Sequence, residues 1–136
     1  MGAIGVGLAQ GCLDHAVNWA RERCAFGRPI GQFQAVAFQL AAVKARIEAA
    51  RGLVYRAAEL KDDGRRYGEE AAQAKLFASE LAVEAADVAM QVHGGYGYLE
   101  ESGIPRFYRD AKILTIGEGT SEILKLVIAR SMGLPV

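Results

Sequence analysis

Apolar positions along this chain recur at steps of three and four residues, and that period organises most of it. The longest run lies from about Phe33 to Leu60, where Val36, Leu40, Val43, Ile47, Ala50, Val54 and Ala57 alternate four- and three-residue steps. One stripe kept over so many turns is the pattern of a helix packed in a bundle. Val36, Leu40, Val43, Ile47 and Val54 are expected to face the core. An earlier helix is predicted from about Ile4 to Ala25, with Leu13, Val17, Ala20 and Cys24 on one face and His15 and Trp19 on a neighbouring one. Phe26-Gly27-Arg28-Pro29 ends it, with glycine as the C-terminal stop and proline beyond. A third helix is predicted from about Glu69 to Val92. Its alanines (Ala71, Ala72, Ala74, Ala78, Ala82, Ala85, Ala86, Ala89) favour helix and let a neighbour come close. Lys61 to Gly64 forms the turn before it, and His93-Gly94-Gly95-Tyr96-Gly97-Tyr98 breaks it. A short helical piece is predicted over Pro105 to Ala111, and a last helix from near Thr120 to just before Gly133. Val and Ile do not alternate with polar residues as strands require. The expected fold is all-α: an up-and-down four-helix bundle with short connections.

Length changes this picture little: 136 residues support one compact domain, residues 1–136, and are too few for two. Sixteen basic residues balance sixteen acidic ones, so no net field recruits nucleic acid or an anionic membrane. No apolar run approaches the roughly 18 residues of a membrane span. Met1 to Leu8 is apolar but lacks a basic leader and a clear cleavage site, so it reads as a helix already under way. Cys12 and Cys24, both placed on the first helix, are too far apart to pair. The expectation is reduced thiols, an intracellular protein that is not secreted, and no metal site.

Three irregular segments carry the candidate chemistry: Arg23 to Gln34, Gln91 to Tyr98, and Arg106 to Ile123. In the last, Glu118 lies between Gly117 and Gly119 and is followed by the helix-start signal Thr120-Ser121-Glu122. Flanking glycines remove side-chain bulk beside one carboxylate, so a flat ligand could approach the backbone. Taken alone, the segment equally describes a solvated acid at a helix start. The His-Gly-Gly segment follows no strand and lacks a Gly-Lys-Ser/Thr ending, so it is neither a dinucleotide fingerprint nor a phosphate loop. It also fits a helix end that needs positive backbone dihedrals. Arg23 offers a fork of donors suited to phosphate, or is simply a solvated charge.

Together these segments resemble the C-terminal domain of the acyl-CoA dehydrogenase family over nearly the whole chain. The resemblance rests on Glu22-Arg23, Phe26-Gly27, Pro29-Ile30 and Phe33-Gln34, then on Ala74 to Glu80, Gln91 to Tyr98, Tyr108 to Lys112 and Glu118 to Ile123, in that order and spacing. It implies FAD as cofactor, an acyl-CoA thioester as substrate, and α,β-dehydrogenation of the acyl group. Glu118 matches the catalytic base, and Gly119 a position whose backbone touches the thioester. Thr120, Ser121 and Glu122 match residues that hold the FAD of the same subunit. Arg23, Phe26, Phe33 and Gln34, with Gln91, Val92, His93, Gly94 and Gly95, match residues that reach the FAD of a neighbouring subunit. The resemblance further implies self-assembly as a dimer or tetramer and an electron acceptor such as electron transfer flavoprotein. It implies the cytoplasm of a bacterium or the mitochondrial matrix.

Two departures stand out. Gly117 replaces the tyrosine that often precedes the base, which opens the question of acyl length and branching. The family's N-terminal helical and middle β domains are missing, so they are expected elsewhere in a longer protein or on a separate chain. The alternative is a non-catalytic helical module, derived from that family, that serves oligomerisation or partner binding.

Overall fold

The alanines of the third helix set the architecture, because small side chains let several helices approach one axis at once. A computed structural model describes the whole chain, Met1–Val136. Its three long helices are α1 (Gly2–Glu22), α2 (Gln34–Asp62) and α3 (Gly68–His93). A single turn, α4 (Gly95–Tyr98), and two shorter helices, α5 (Ile104–Leu114) and α6 (Ser121–Ser131), complete it. α3 packs on α1, α2, α5 and α6 and is the hub of the bundle. Ala74, Ala78, Ala82, Ala85, Ala86 and Ala89 are all buried along it.

Where α1 crosses α3 the backbones nearly touch. A methyl group at Gly5 would lie 2.6 Å from the carbonyl oxygen of Ala78, so only glycine fits. Ile47 and Leu81 are fully buried at the centre, each contributing about 1.5–3 kcal/mol by leaving water. On α2, Leu40, Val43, Ile47 and Ala50 are buried as expected, while Val36 and Val54 pack against the core from its edge. The edge position follows from helix geometry, since a stripe repeating every 3.5 residues drifts off the buried face of a straight helix.

The all-α expectation holds, with differences in detail. α1 ends at Glu22, three residues earlier than expected, so Cys24 leaves the helical face and is exposed, while Cys12 takes the buried position. Burial pushes the Cys12 thiol up to about 12, which keeps it protonated and inert. Cys24–Ala25 and Arg28–Pro29 form a small antiparallel hairpin, β1 and β2, where the sequence showed only a helix stop. No helix is long and apolar enough to cross a membrane.

Candidate functional site

The turn between α5 and α6 carries Glu118, and its backbone explains how. The Gly117 N–H donates to Ile113 O at 2.8 Å, and the Ser121 N–H donates to Thr115 O at 3.1 Å. Between these two ties the chain turns left-handed, at φ 56° for Glu118 and φ 93° for Gly119. Glycine accepts this freely, but a residue with a Cβ pays about 1–2 kcal/mol for it. The N–H groups of Glu118, Gly119 and Thr120 donate to no backbone carbonyl. Glu118 borders an open cleft of about 750 Å³ lined by Gly2 of α1, Val54 of α2, Ala71 and Lys75 of α3, and Leu124 of α6.

Lys75 is the residue that reading the sequence missed. It lies within the Ala74 to Glu80 segment that carried part of the resemblance, yet nothing about a lysine among alanines signals burial. The side chain is only 7% exposed. Its ammonium donates to Gly117 O at 2.8 Å and also to Gly119 O, the carbonyls on either side of Glu118. Burial holds the Lys75 pKa below its ordinary value, and the Glu118 carboxylate opposes that shift.

α6 begins directly after this turn. Thr120 caps it, its hydroxyl oxygen accepting from the Ile123 N–H at 3.4 Å. Glu122 titrates below the usual carboxylate range, first because its own backbone N–H donates to it and then through the Thr120 hydroxyl. The Ser121 hydroxyl is buried and has no hydrogen-bond partner within the chain. It borders a second cleft of about 400 Å³, shared with Thr120, Glu122, Lys112 and Lys125.

The remaining candidates gather at the other end of α3. The imidazole of His93 stacks on Trp19 of α1 at 5.0 Å, and Tyr96 leans on the same indole at 5.1 Å, which brings residues 91–95 beside the hairpin region. His93 Nδ1 lies 2.7 Å from Ala89 O, so the neutral ring donates there and leaves Nε2 free. Burial lowers its pKa, against the raising effect of that hydrogen bond and with a smaller lowering by His15. Arg23 ends α1, with its N–H donating to Trp19 O and its carbonyl accepting from Ile30 N–H, both at 2.8 Å; its side chain is exposed.

At the hairpin tip Phe26 (φ 52°) and Gly27 (φ 80°) give the two positive dihedrals that a tight type I′ turn requires. The Phe26 ring is 96% exposed. It meets Phe33 edge-on at 6.2 Å, and the Arg28 guanidinium covers Phe33 at 4.2 Å. Gln34, Gln91, Gly94 and Gly95 face outward, with open space beside both glycines, while the Val92 side chain is in the core.

The structure thus gathers Glu118 to Glu122 with Lys75 at one end of the bundle, and Arg23 to Gln34 with Gln91 to Gly95 at the other. Lys75 and His93 are eighteen residues apart on α3, about 27 Å at roughly 1.5 Å per residue. The candidate residues therefore fall into two groups, far apart, and share no single closed pocket.

A family model described as acyl-CoA dehydrogenase, C-terminal domain, matches residues 1–133. A probable acyl-CoA dehydrogenase of Bacillus subtilis is 53% identical over 130 residues, covering 96% of this chain and 34% of that protein. The structure of butyryl-CoA dehydrogenase from Megasphaera elsdenii superposes with a TM-score of 0.95 at 43% identity, covering 96% of this chain and 34% of that one. The FAD complex of PigA superposes at 0.94 with 35% identity, covering 99% and 35%. The chain spans about a third of the length of the relatives it matches. With motif order, helix layout and backbone all in agreement, the chain belongs to the acyl-CoA dehydrogenase family, in which it corresponds to the C-terminal domain.

Proposed function

We propose that this chain supplies the base and part of the flavin site of an acyl-CoA dehydrogenase that oxidises the Cα–Cβ bond of an acyl-CoA thioester. The observation that carries the reading is Glu118, held left-handed between two glycines at the edge of a largely apolar cleft. The residues present fit an FAD. Gly94 and Gly95 leave open space for a close approach, Arg23 offers an exposed cationic fork, and the buried Ser121 hydroxyl lacks a partner within the chain. The FAD complex of PigA supports the same choice of cofactor.

In this mechanism a Glu118 carboxylate oxygen takes the α proton of the thioester. Bound FAD would supply the hydride acceptor for the β position. Gly119 has a backbone N–H free to meet the thioester oxygen, where negative charge develops as the proton leaves. A general base must lie within hydrogen-bond reach of the proton it takes, and Glu118 borders a cleft in which an acyl chain finds apolar walls. Thr120, Ser121 and Glu122 hold the FAD of their own subunit. Arg23, Phe26, Phe33, Gln34 and the 91–95 segment reach one bound by a neighbour. The 27 Å separation estimated above supports that division.

The test is Glu118→Gln in a complete enzyme containing this chain. The amide keeps size and hydrogen bonding but cannot act as a base, so flavin binding is expected to persist. Flavin reduction by a short-chain acyl-CoA, followed by stopped flow, is expected to slow by about a hundred- to ten-thousand-fold. Reduction at the parent rate would show that the base lies elsewhere.

Exposed apolar side chains, among them Ile4, Phe38, Tyr55 and Ile116, favour self-association through this domain as well. A dimer or tetramer is the expected species. Light scattering that finds only a 14.6 kDa particle at micromolar concentration would remove that part.

A further inference from the structure

Of all the charged side chains in this protein, Lys75 alone is buried. A buried ammonium needs hydrogen-bond partners to offset lost hydration, and its neighbours decide what it does. Here its hydrogen-bond acceptors are two backbone carbonyls, Gly117 O and Gly119 O. No backbone N–H donates to either of them. A single nitrogen therefore ties together both ends of the three-residue arc whose middle member is Glu118. The arc has no other tie to α3, and its central residue has a conformation that a glutamate does not choose by itself.

We propose that Lys75 is a positioning residue for proton removal: by clamping Gly117 O and Gly119 O it holds the Glu118 carboxylate at the cleft between α1, α2, α3 and α6. The role suits lysine, whose donors all radiate from one compact nitrogen and can serve two converging acceptors. A guanidinium spreads its donors over a rigid plane. The effect of Lys75 passes through the turn, by way of the two carbonyls it bonds.

The inference rests on Glu118 being the base, so both are tested together in a complete enzyme containing this chain. Lys75→Met, Glu118→Gln and the double variant are compared with the parent by stopped-flow flavin reduction over a range of butyryl-CoA concentrations. Lys75→Met is expected to lower the limiting rate constant by about tenfold to a hundredfold, the scale of an ångström-sized misplacement. Half-saturation and FAD content are expected to stay at parent values, and the double variant to be no slower than Glu118→Gln alone. A parent-like rate in Lys75→Met, with Glu118→Gln still slow, overturns the role of Lys75 and leaves the base in place. So does a double variant whose two losses multiply, because Lys75 would then act independently of Glu118. A parent-like rate in Glu118→Gln overturns the base and this inference with it. Should Lys75→Met fail to fold, Lys75→Gln substitutes for it: neutral, shorter and able to reach one carbonyl only. The same tenfold or larger loss at unchanged half-saturation is expected there, and a parent-like rate again overturns the clamp.

Discussion

Two residues other than glycine take left-handed backbone in this protein, Phe26 and Glu118, and they mark opposite ends of the bundle. Each is followed by a glycine that is left-handed too, Gly27 and Gly119. At the Glu118 end the distortion is met inside the chain, because a buried lysine bonds the carbonyls on both sides. At the Phe26 end no such clamp exists. The hairpin is two residues wide on each strand, and the ring at its tip projects into open space. The only aromatic neighbour of that ring is Phe33, met edge-on at 6.2 Å. The Glu118 end is therefore held by its own chain, whereas, on the proposed function, the hairpin end is expected to settle only when a neighbouring subunit brings its flavin.

The contrast breaks most readily at Arg23. Arg23→Ala is expected to weaken FAD retention by about 1.5–3 kcal/mol, the scale of a lost hydrogen bond to a charged group, measured by titrating FAD back into the stripped enzyme. At saturating FAD, flavin reduction is expected at the parent rate. A slow rate there would mean that the two ends cannot be separated. A matched pair of glycines comes next. A methyl at Gly5 would meet Ala78 O near the base end, and one at Gly97 would meet Met90 O at 2.5 Å near the other. Gly5→Ala and Gly97→Ala should each cost about 1–3 kcal/mol by overpacking, seen in urea unfolding. Only Gly97→Ala is expected to loosen FAD as well. Smaller still, Phe26→Gly should stabilise the free chain by about 1 kcal/mol by removing strain at positive φ. It should also reduce FAD retention in the assembled enzyme. Equal gains from Phe26→Gly and Glu118→Gly would show that the lysine clamp offsets nothing.

The smallest effect is in pH. Burial lowers the His93 pKa from its ordinary 6.5, so the folded chain resists a proton that the unfolded chain accepts. The stability contribution is full above 6.5 and is lost as pH falls through the depressed folded value. Unfolding free energy is expected to drop on acidification below about 6.5, and His93→Gln to flatten that part of the curve. An unchanged slope would assign the acid sensitivity to another group.

Much of this was legible in the residues themselves. The α2 stripe named its own core, since Leu40, Val43 and Ile47 repeat at helical steps and nothing interrupts them. The glycine pairs at 94–95 and 117/119 marked both ends because glycine clusters punctuate helices wherever they fall. The hairpin was not legible: strands of two residues have no alternation to detect, and Phe26-Gly27 resembles any helix stop. Cys24 was misplaced for the same reason, since helix one stops at Glu22 and the hairpin takes up the next residues. The role of Lys75 was hidden by sequence distance. Its partners are more than forty residues away, and a lysine on a helix is ordinarily solvated.

Trp19, the sole tryptophan of the chain, touches both His93 and Tyr96. In this chain its emission reports on the hairpin end. An imidazolium quenches indole fluorescence more than a neutral imidazole does, so the intensity should track protonation of His93. A flavin arriving from a neighbouring subunit would accept energy from the same ring. Trp19 thus gives the hairpin end an optical probe of its own, on which the proposed docking of a neighbouring subunit can be read.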